Sequence, residues 1–531
     1  MLLSALVATC LLTPSYAAPI DGQAPLFVPT IHNHLDPLKH LSAISPFYIP
    51  FEQPAPLPPH CSLTRVSLLI RHSAIMGNDD EFEQTMSPFI QKVRNISTSE
   101  PHLLPSSGPW AFLRQWETPI VEKTLEEISP RGRKDAKHLG KYIRKQYNSL
   151  FPPRTRRGSN SQTPKEGVEG VIKGGKPSYK VWTASSGRDI DTAKAYILGS
   201  FPSHQSGDDG EGDGDVVQLI EVPNHAKEWE KSLTPHKACD RFEKESSLKP
   251  ANQWLAVYAP RVRQRLKRYI PDLVERLNDQ DILAMQMLCG YETIAAGKSP
   301  FCHVFTDSEW LDVEYYFDVR FHYMMGYGSP LAPYLGMPWV KTAKHLLEGE
   351  GDDGKGDHLV YEGSFKGKGK LPGPRVPPNA THSQLLHPHF THRESPAFVS
   401  TFLNLFNSTQ LPHPASEEPP LDRRVDNRQW RTSHISSFLG HIALERFSCK
   451  PTFSEPMLSS LKNEIDVDED VESQSSHKKK ADYVRAVVNG KHEIMYGCQD
   501  GVENSCKWET FREWVDKRGE KWGDWAGVCN K

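Results

Sequence analysis

The sequence predicts an α/β fold in which a mostly parallel central sheet is flanked by helices and joined to a smaller helical subdomain. Three observations carry that expectation. Short β-rich apolar runs, RVSLLI at 65–70 and YKVWTA over Tyr179–Ala184, each end at a turn. Stretches with apolar residues at helical spacing separate or follow them, at 189–199, 281–296, 308–325 and 337–347. A third apolar run at 385–391 leads into a helix that Pro396 opens in its first turn. Strands and helices in alternation cover both faces of a parallel sheet, and ligands of such sheets gather beyond the carboxyl ends of the strands.

Residues 1–18 begin with the apolar stretch LLSALVATCLL and reach small residues at Ser15, Ala17 and Ala18, the pattern of an export signal cleaved after Ala17 or Ala18. Residues 19–60 are rich in Pro and His and read as an extended arm packed on the surface. The α/β body is expected over 61–200 and 350–531, and the helical subdomain over 217–348. Four segments, 152–177, 204–215, 348–370 and 466–480, replace apolar periodicity with Gly, Ser and charge, and read as solvated loops or insertions. The chain ends WAGVCNK, without the apolar tail of a lipid anchor, so secretion is expected, either free or retained at the cell wall.

Lys and Arg number 63 against 66 Asp and Glu, a formal net charge of -3. No global field therefore attracts nucleic acid or an anionic membrane, and an anionic partner must be held by a local cluster of donors. Of nine cysteines, Cys10 would leave with the signal, and the even set that remains suggests disulfides in an exported chain. None shows the CxxC spacing of a thiolate zinc site. Asn95, Asn379 and Asn407 open Asn-x-Ser/Thr sequons, which fit a glycosylated exterior.

Basic groups stand after each of three strands: Arg71-His72, Arg188, and His392-Arg393 with Glu394 next to them. The segment RVSLLIRHSAIMGNDDEF resembles the active-site segment of the histidine acid phosphatases, in particular the fungal phytase-like branch, where RHGxRxP follows a strand. VWTASSGRDIDTAKAYILGSF is similar to the second-arginine strand, turn and helix of that family, and FTHRESPAFVSTFLNLFN to its His-Asp segment. MLCGYETIAAGKSPFCHVFTDSEW resembles its helical subdomain, and the stretches from ISSFLGHIALERFSCK to GCQDGVENSCKWETFREWV its ending.

The resemblance implies a phosphoglycerate-mutase-like fold and hydrolysis of phosphate monoesters, phytate or other inositol phosphates among them, at acidic pH and without a cofactor or metal. His72 would be the nucleophile, forming a phosphohistidine; Arg71, Arg188, His392 and Arg393 would bind the phosphorylated small-molecule substrate; Glu394 would be the proton donor. It also implies the pairs Cys61–Cys449, Cys239–Cys529, Cys289–Cys302 and Cys498–Cys506, each worth ~2–4 kcal/mol, mainly through the unfolded chain.

Two departures mark this sequence. Ile75 stands where the motif has its second arginine, with Ser73 and Gly77 at its glycine and proline, and Arg393 stands where the family has Asp. A lost preorganised donor costs ~2.7–4 kcal/mol of barrier. Glu394 resembles the glutamate of an HAE variant in the same clan, and Arg393 could return the charge missing at Ile75. A secreted pseudophosphatase that binds phosphorylated ligands without turnover is the alternative. Asp79, Asp80 and Glu81 read as a solvated acidic loop, Arg320 as either a substrate contact or a surface cation, and His382, His387 and His389 as histidines without a metal.

Overall fold

The computed structural model describes residues 35–48, 55–151, 179–201, 217–222, 224, 233–349, 384–410, 418–450 and 480–530. Eight strands form one sheet: β1 (Cys61–Arg71), β2 (Tyr179–Ala184), β3 (Val217–Val222), β4 (Leu386–Thr391), β5 (His441–Cys449), β6 (Ala481–Val488), β7 (Lys491–Glu493) and β8 (Cys506–Lys507). Their order is β3-β2-β4-β1-β5-β6-β7, with β8 paired to β6. The half that ends in the basic groups, β3-β2-β4-β1, is parallel. From β1 onward the pairing with β5, β6, β7 and β8 is antiparallel. The α/β sheet flanked by helices is as expected, but the sheet is mixed rather than mostly parallel. The antiparallel half escaped notice because its edge strands are short or carry charge, as in Lys491–Glu493.

The helices are α1 (Ser87–Ser99), α2 (Pro130–Gln146), α3 (Gly187–Ser200), α4 (Leu248–Leu266), α5 (Asp279–Ala296), α6 (Asp307–Met325), α7 (Ala332–Glu348), α8 (Glu394–Phe402) and α9 (Trp508–Trp522). Capping boxes start α5 at Asn278 and α6 at Thr306. Both helices are buried nearly all round, α5 mainly through apolar residues and α6 with buried charged groups such as Glu314 and Asp318 among its apolar ones. Residues 217–222 join the sheet beside β2 and so lie outside the helical region in which they were expected.

The arm also differs from expectation. Leu41, Ala43 and Ile44 are fully or almost fully buried in the main core rather than laid on the surface. Gly290 makes room for them, since a Cβ there would stand 2.6 Å from Ile44. The four implied disulfides all form: Cys61–Cys449, Cys239–Cys529, Cys289–Cys302 and Cys498–Cys506. His387 and His389 lie buried on β4 with their rings against Trp182, 5.8 and 5.0 Å between centroids, and are core residues. The export signal, Asn379, His382 and nearly all of the four charged loops lie outside the described residues. Asn95 is exposed on α1, whereas Asn407 is half-buried and its amide donates to Asn404 (2.8 Å).

Candidate active site

The carboxyl ends of the parallel strands open into a cavity of about 450 Å3. Arg71, His72, Arg188, His392, Arg393 and Glu394 all line it. Adjacent strands explain the convergence: β1 and β4 run side by side with Arg71 opposite Thr391, and the His72 amide continues the ladder onto the Thr391 carbonyl at 2.8 Å. Arg188 arrives on the first turn of α3, directly after β2, and Glu394 is the first residue of α8. Two helix amino termini thus begin at the cavity.

His72 is buried 6.3 Å from His392, centroid to centroid, with the rings nearly perpendicular. Its Nδ1 lies 2.9 Å from the Ser73 carbonyl oxygen. A carbonyl only accepts, so Nδ1 carries the hydrogen and the lone pair is left on Nε2. Burial, then the Arg71 and Arg188 charges, hold this imidazole well below its ordinary range, which keeps it neutral and nucleophilic in acid. Ser73 is fixed in turn by Thr192 of α3, whose hydroxyl accepts from its amide at 3.0 Å.

Arg71 is oriented by two backbone carbonyls, those of Ala43 (2.5 Å) and Ser436 (2.6 Å), and its guanidinium lies over the Phe438 ring. Burial, then Arg393, push it down to about 9, still charged at acidic and neutral pH. Arg188 is paired with Glu126, whose other carboxylate oxygen accepts from the Asn78 amide at 2.7 Å and the Asp79 N–H at 3.2 Å. A carboxylate therefore sits on the arginine that the resemblance assigns to phosphate.

His392 Nε2 is 3.1 Å from the Ser186 hydroxyl and 2.9 Å from Asp189 Oδ2. Burial raises the Asp189 carboxyl. Arg393 is clamped between acids: its Nη1 donates to Glu81 (2.6 Å) and its Nε to Glu394 (3.1 Å). Burial opposes its charge, but Glu81 and Glu394 raise it. For Glu394, burial favours the neutral form, yet His236 and Arg393 outweigh it and hold the carboxyl well below its usual range. His236 is itself pushed by burial to about 3, so Arg393 is the charge that acts on Glu394 in the acidic range.

The acidic run is not a solvated loop throughout. Asp79 and Asp80 line the cavity, with Asp80 paired to Lys244 at 2.6 Å, but Glu81 is buried and accepts from Tyr291 as well as Arg393. Arg320 is buried beside Phe321 and is neither a surface cation nor part of the cavity lining. Ile75 is buried against the cavity and bridges to Ile128, so the motif's second guanidinium is absent from the wall.

Sequence reasoning missed four contributors: Glu126, Asp189, His236 and Lys237. Asp189 adjoins Arg188 and could have been suspected. His236 stands in TPHKAC with no motif around it; it reaches the cavity because the Thr391 and Ser395 hydroxyls both donate to the Leu233 carbonyl and draw that segment over the end of β4.

The family model described as histidine phosphatase superfamily (branch 2) matches residues 63–489. An acid phosphatase of Schizosaccharomyces pombe is 24% identical over 419 residues, 78% of this chain and 78% of its own. Phytase A of Aspergillus terreus is 23% identical over 489 residues, 90% of this chain and 88% of its own. Among solved structures, the phytase from D. castellii superposes with a TM-score of 0.64 at 18% identity, covering 93% of this chain and 88% of that one.

Proposed function

The chain belongs to the histidine phosphatase superfamily, branch 2, and from that premise we propose that it is an acid phosphatase that hydrolyses phosphate monoesters through a phosphohistidine. The convergence of His72, Arg71, Arg188 and His392 on one cavity carries this reading. His72 Nε2 attacks phosphorus while the ester P–O bond breaks, and the leaving alkoxide takes its proton from Glu394, whose carboxyl, held low by His236 and Arg393 in the free protein, is raised by the negative charge of the bound phosphate. Water then attacks phosphorus and gives its proton to the Glu394 carboxylate, the P–N bond breaks, and inorganic phosphate leaves with His72 restored. Arg71, Arg188 and His392 spread charge-assisted hydrogen bonds over the phosphoryl oxygens. Arg393 positions Glu394 rather than replacing the guanidinium missing at Ile75, since two of its nitrogens already serve Glu81 and Glu394.

Substrate size follows from the wall. Lys237 and Lys244 face four acids, Asp79, Asp80, Glu243 and Glu245, around the cavity, so this part of its wall is net acidic. Small monoesters carrying one phosphate suit that wall better than an inositol ring with many, and phytate is the secondary substrate. The four disulfides support an exported protein.

Phosphate release from an aryl phosphate and from phytate at several acidic pH values tests the reading, together with retention of labelled phosphate on the rapidly quenched protein. Both signals are expected in the wild type and neither in His72→Ala. The pairing of Glu126 with Arg188 favours one second reading, a phosphate-binding protein without turnover. Tight phosphate binding with no release from either ester supports that reading instead.

A further inference from the structure

We infer that His236, His392 and Glu394 form a binding site for a divalent transition metal of the Zn2+ type, and that a metal bound there shuts the catalytic cavity. One ligand atom from each of the three lies within 4.8 Å of the others, and all three side chains are buried. His236 Nε2 and Glu394 Oε2 are 3.7 Å apart. That is too long for a hydrogen bond but close to the edge of a zinc tetrahedron, about 3.3 Å for bonds of about 2.0–2.1 Å.

Unused polar atoms point the same way. Neither oxygen of the fully buried Asp189 carboxylate has hydrogen-bond geometry to any donor. Asp189 nevertheless lies 2.9 Å from His392 Nε2, the place behind a ligating imidazole where an orienting carboxylate is commonly found. Two imidazoles and one carboxylate select Zn2+ or its neighbours over Mg2+ and Ca2+, which take oxygen ligands. The cavity leaves room for water as a fourth ligand.

Such a metal would engage the proposed proton donor and a proposed phosphate ligand together, so it would inhibit rather than assist. That consequence rests on the phosphatase reading; the binding site does not.

The test uses the purified full chain stripped with a chelator. Titration with Co2+, read by visible absorption, and with Zn2+, read by calorimetry, is expected to show one equivalent bound. His236→Ala and Glu394→Gln, each checked for an unchanged melting profile, are expected to weaken Zn2+ binding at least tenfold. Absence of stoichiometric binding overturns the site, as does wild-type affinity in both folded variants. Aryl phosphate hydrolysis is expected to fall over the same Zn2+ range and to return with chelator. Saturating Zn2+ without loss of turnover overturns the inhibition alone. Stoichiometric binding by a chain that releases no phosphate with or without metal supports the site and counts against the phosphatase reading.

Discussion

Glu126 is where the structure makes its sharpest demand on function, and Glu126→Gln isolates it. The exchange keeps an oxygen to accept from Asn78 and the Asp79 N–H, while removing the charge that engages Arg188. A phosphate on the other side of that guanidinium would lie about 6 Å from the carboxylate, and at an effective dielectric of about 20 the repulsion is roughly 2.8 kcal/mol per unit charge. Glu126 and Arg188 are 24% and 18% exposed, so water weakens this, and ~1–2 kcal/mol is the realistic gain. The inhibition constant of inorganic phosphate and KM for an aryl phosphate should both fall roughly five- to thirtyfold, with kcat changing less. Competitive inhibition at fixed ionic strength measures it. Unchanged or weaker phosphate binding in a folded variant would refute the argument and make Glu126 a support that holds Arg188 in place.

Other perturbations reach different levels of the molecule. Ile75→Arg puts a guanidinium back into the wall, and kcat/KM is expected to rise at least tenfold, within the ~10²–10³ that a preorganised donor contributes; a fall with the fold intact would mean that this position does not limit the rate. Gly132→Ala would set a Cβ 2.2 Å from the Ala74 carbonyl oxygen, so it should cost ~1–3 kcal/mol in denaturant unfolding and lower activity by shifting the loop after His72. Arg428 binds both Glu314 and Asp318; Arg428→Ala removes the ion pair of buried Asp318, while Glu314 keeps Arg431, and is expected to cost ~3–5 kcal/mol, and a loss below ~1 kcal/mol would show that the network relaxes. Burial opposes the charge of Glu314, but His40, Arg428 and Arg431 outweigh it and depress the carboxyl. Its contribution to stability is therefore complete above the ordinary value of 4.5 and is lost as pH falls below it. Melting temperature against pH should drop more steeply below that point in the wild type than in Glu314→Gln.

Much of the parallel half was legible because buried strands such as β1 and β2 read as short β-rich apolar runs ending in a turn, and helices such as α5 carry apolar residues at helical spacing. The proposed phosphate ligands were legible only through the resemblance, since Arg71 and Arg188 are otherwise ordinary cations after strands. Glu81 shows what a linear reading cannot supply. In Asp79-Asp80-Glu81 all three look alike, and only the arrival of Arg393 and Tyr291 from elsewhere in the fold makes burial of the third tolerable. His236 and Glu126 were invisible for the same reason: each reaches the cavity through a tertiary contact and carries no local pattern. The arm misled because its Pro-rich composition hid the few apolar residues, Leu41 to Ile44, that enter the core.

The central position of β1 sets the order in which the molecule can be assembled. Its neighbours on either side, β4 and β5, begin at Leu386 and His441, so a growing polypeptide carries His72 for more than three hundred residues of synthesis before either partner exists. Until then a long apolar strand has both edges exposed, a hazard for aggregation that a folding helper would have to cover. Fragments ending before Cys449 should consequently be inert and poorly soluble, and the bond from Cys61 to Cys449 can close only when nearly the whole protein has been made.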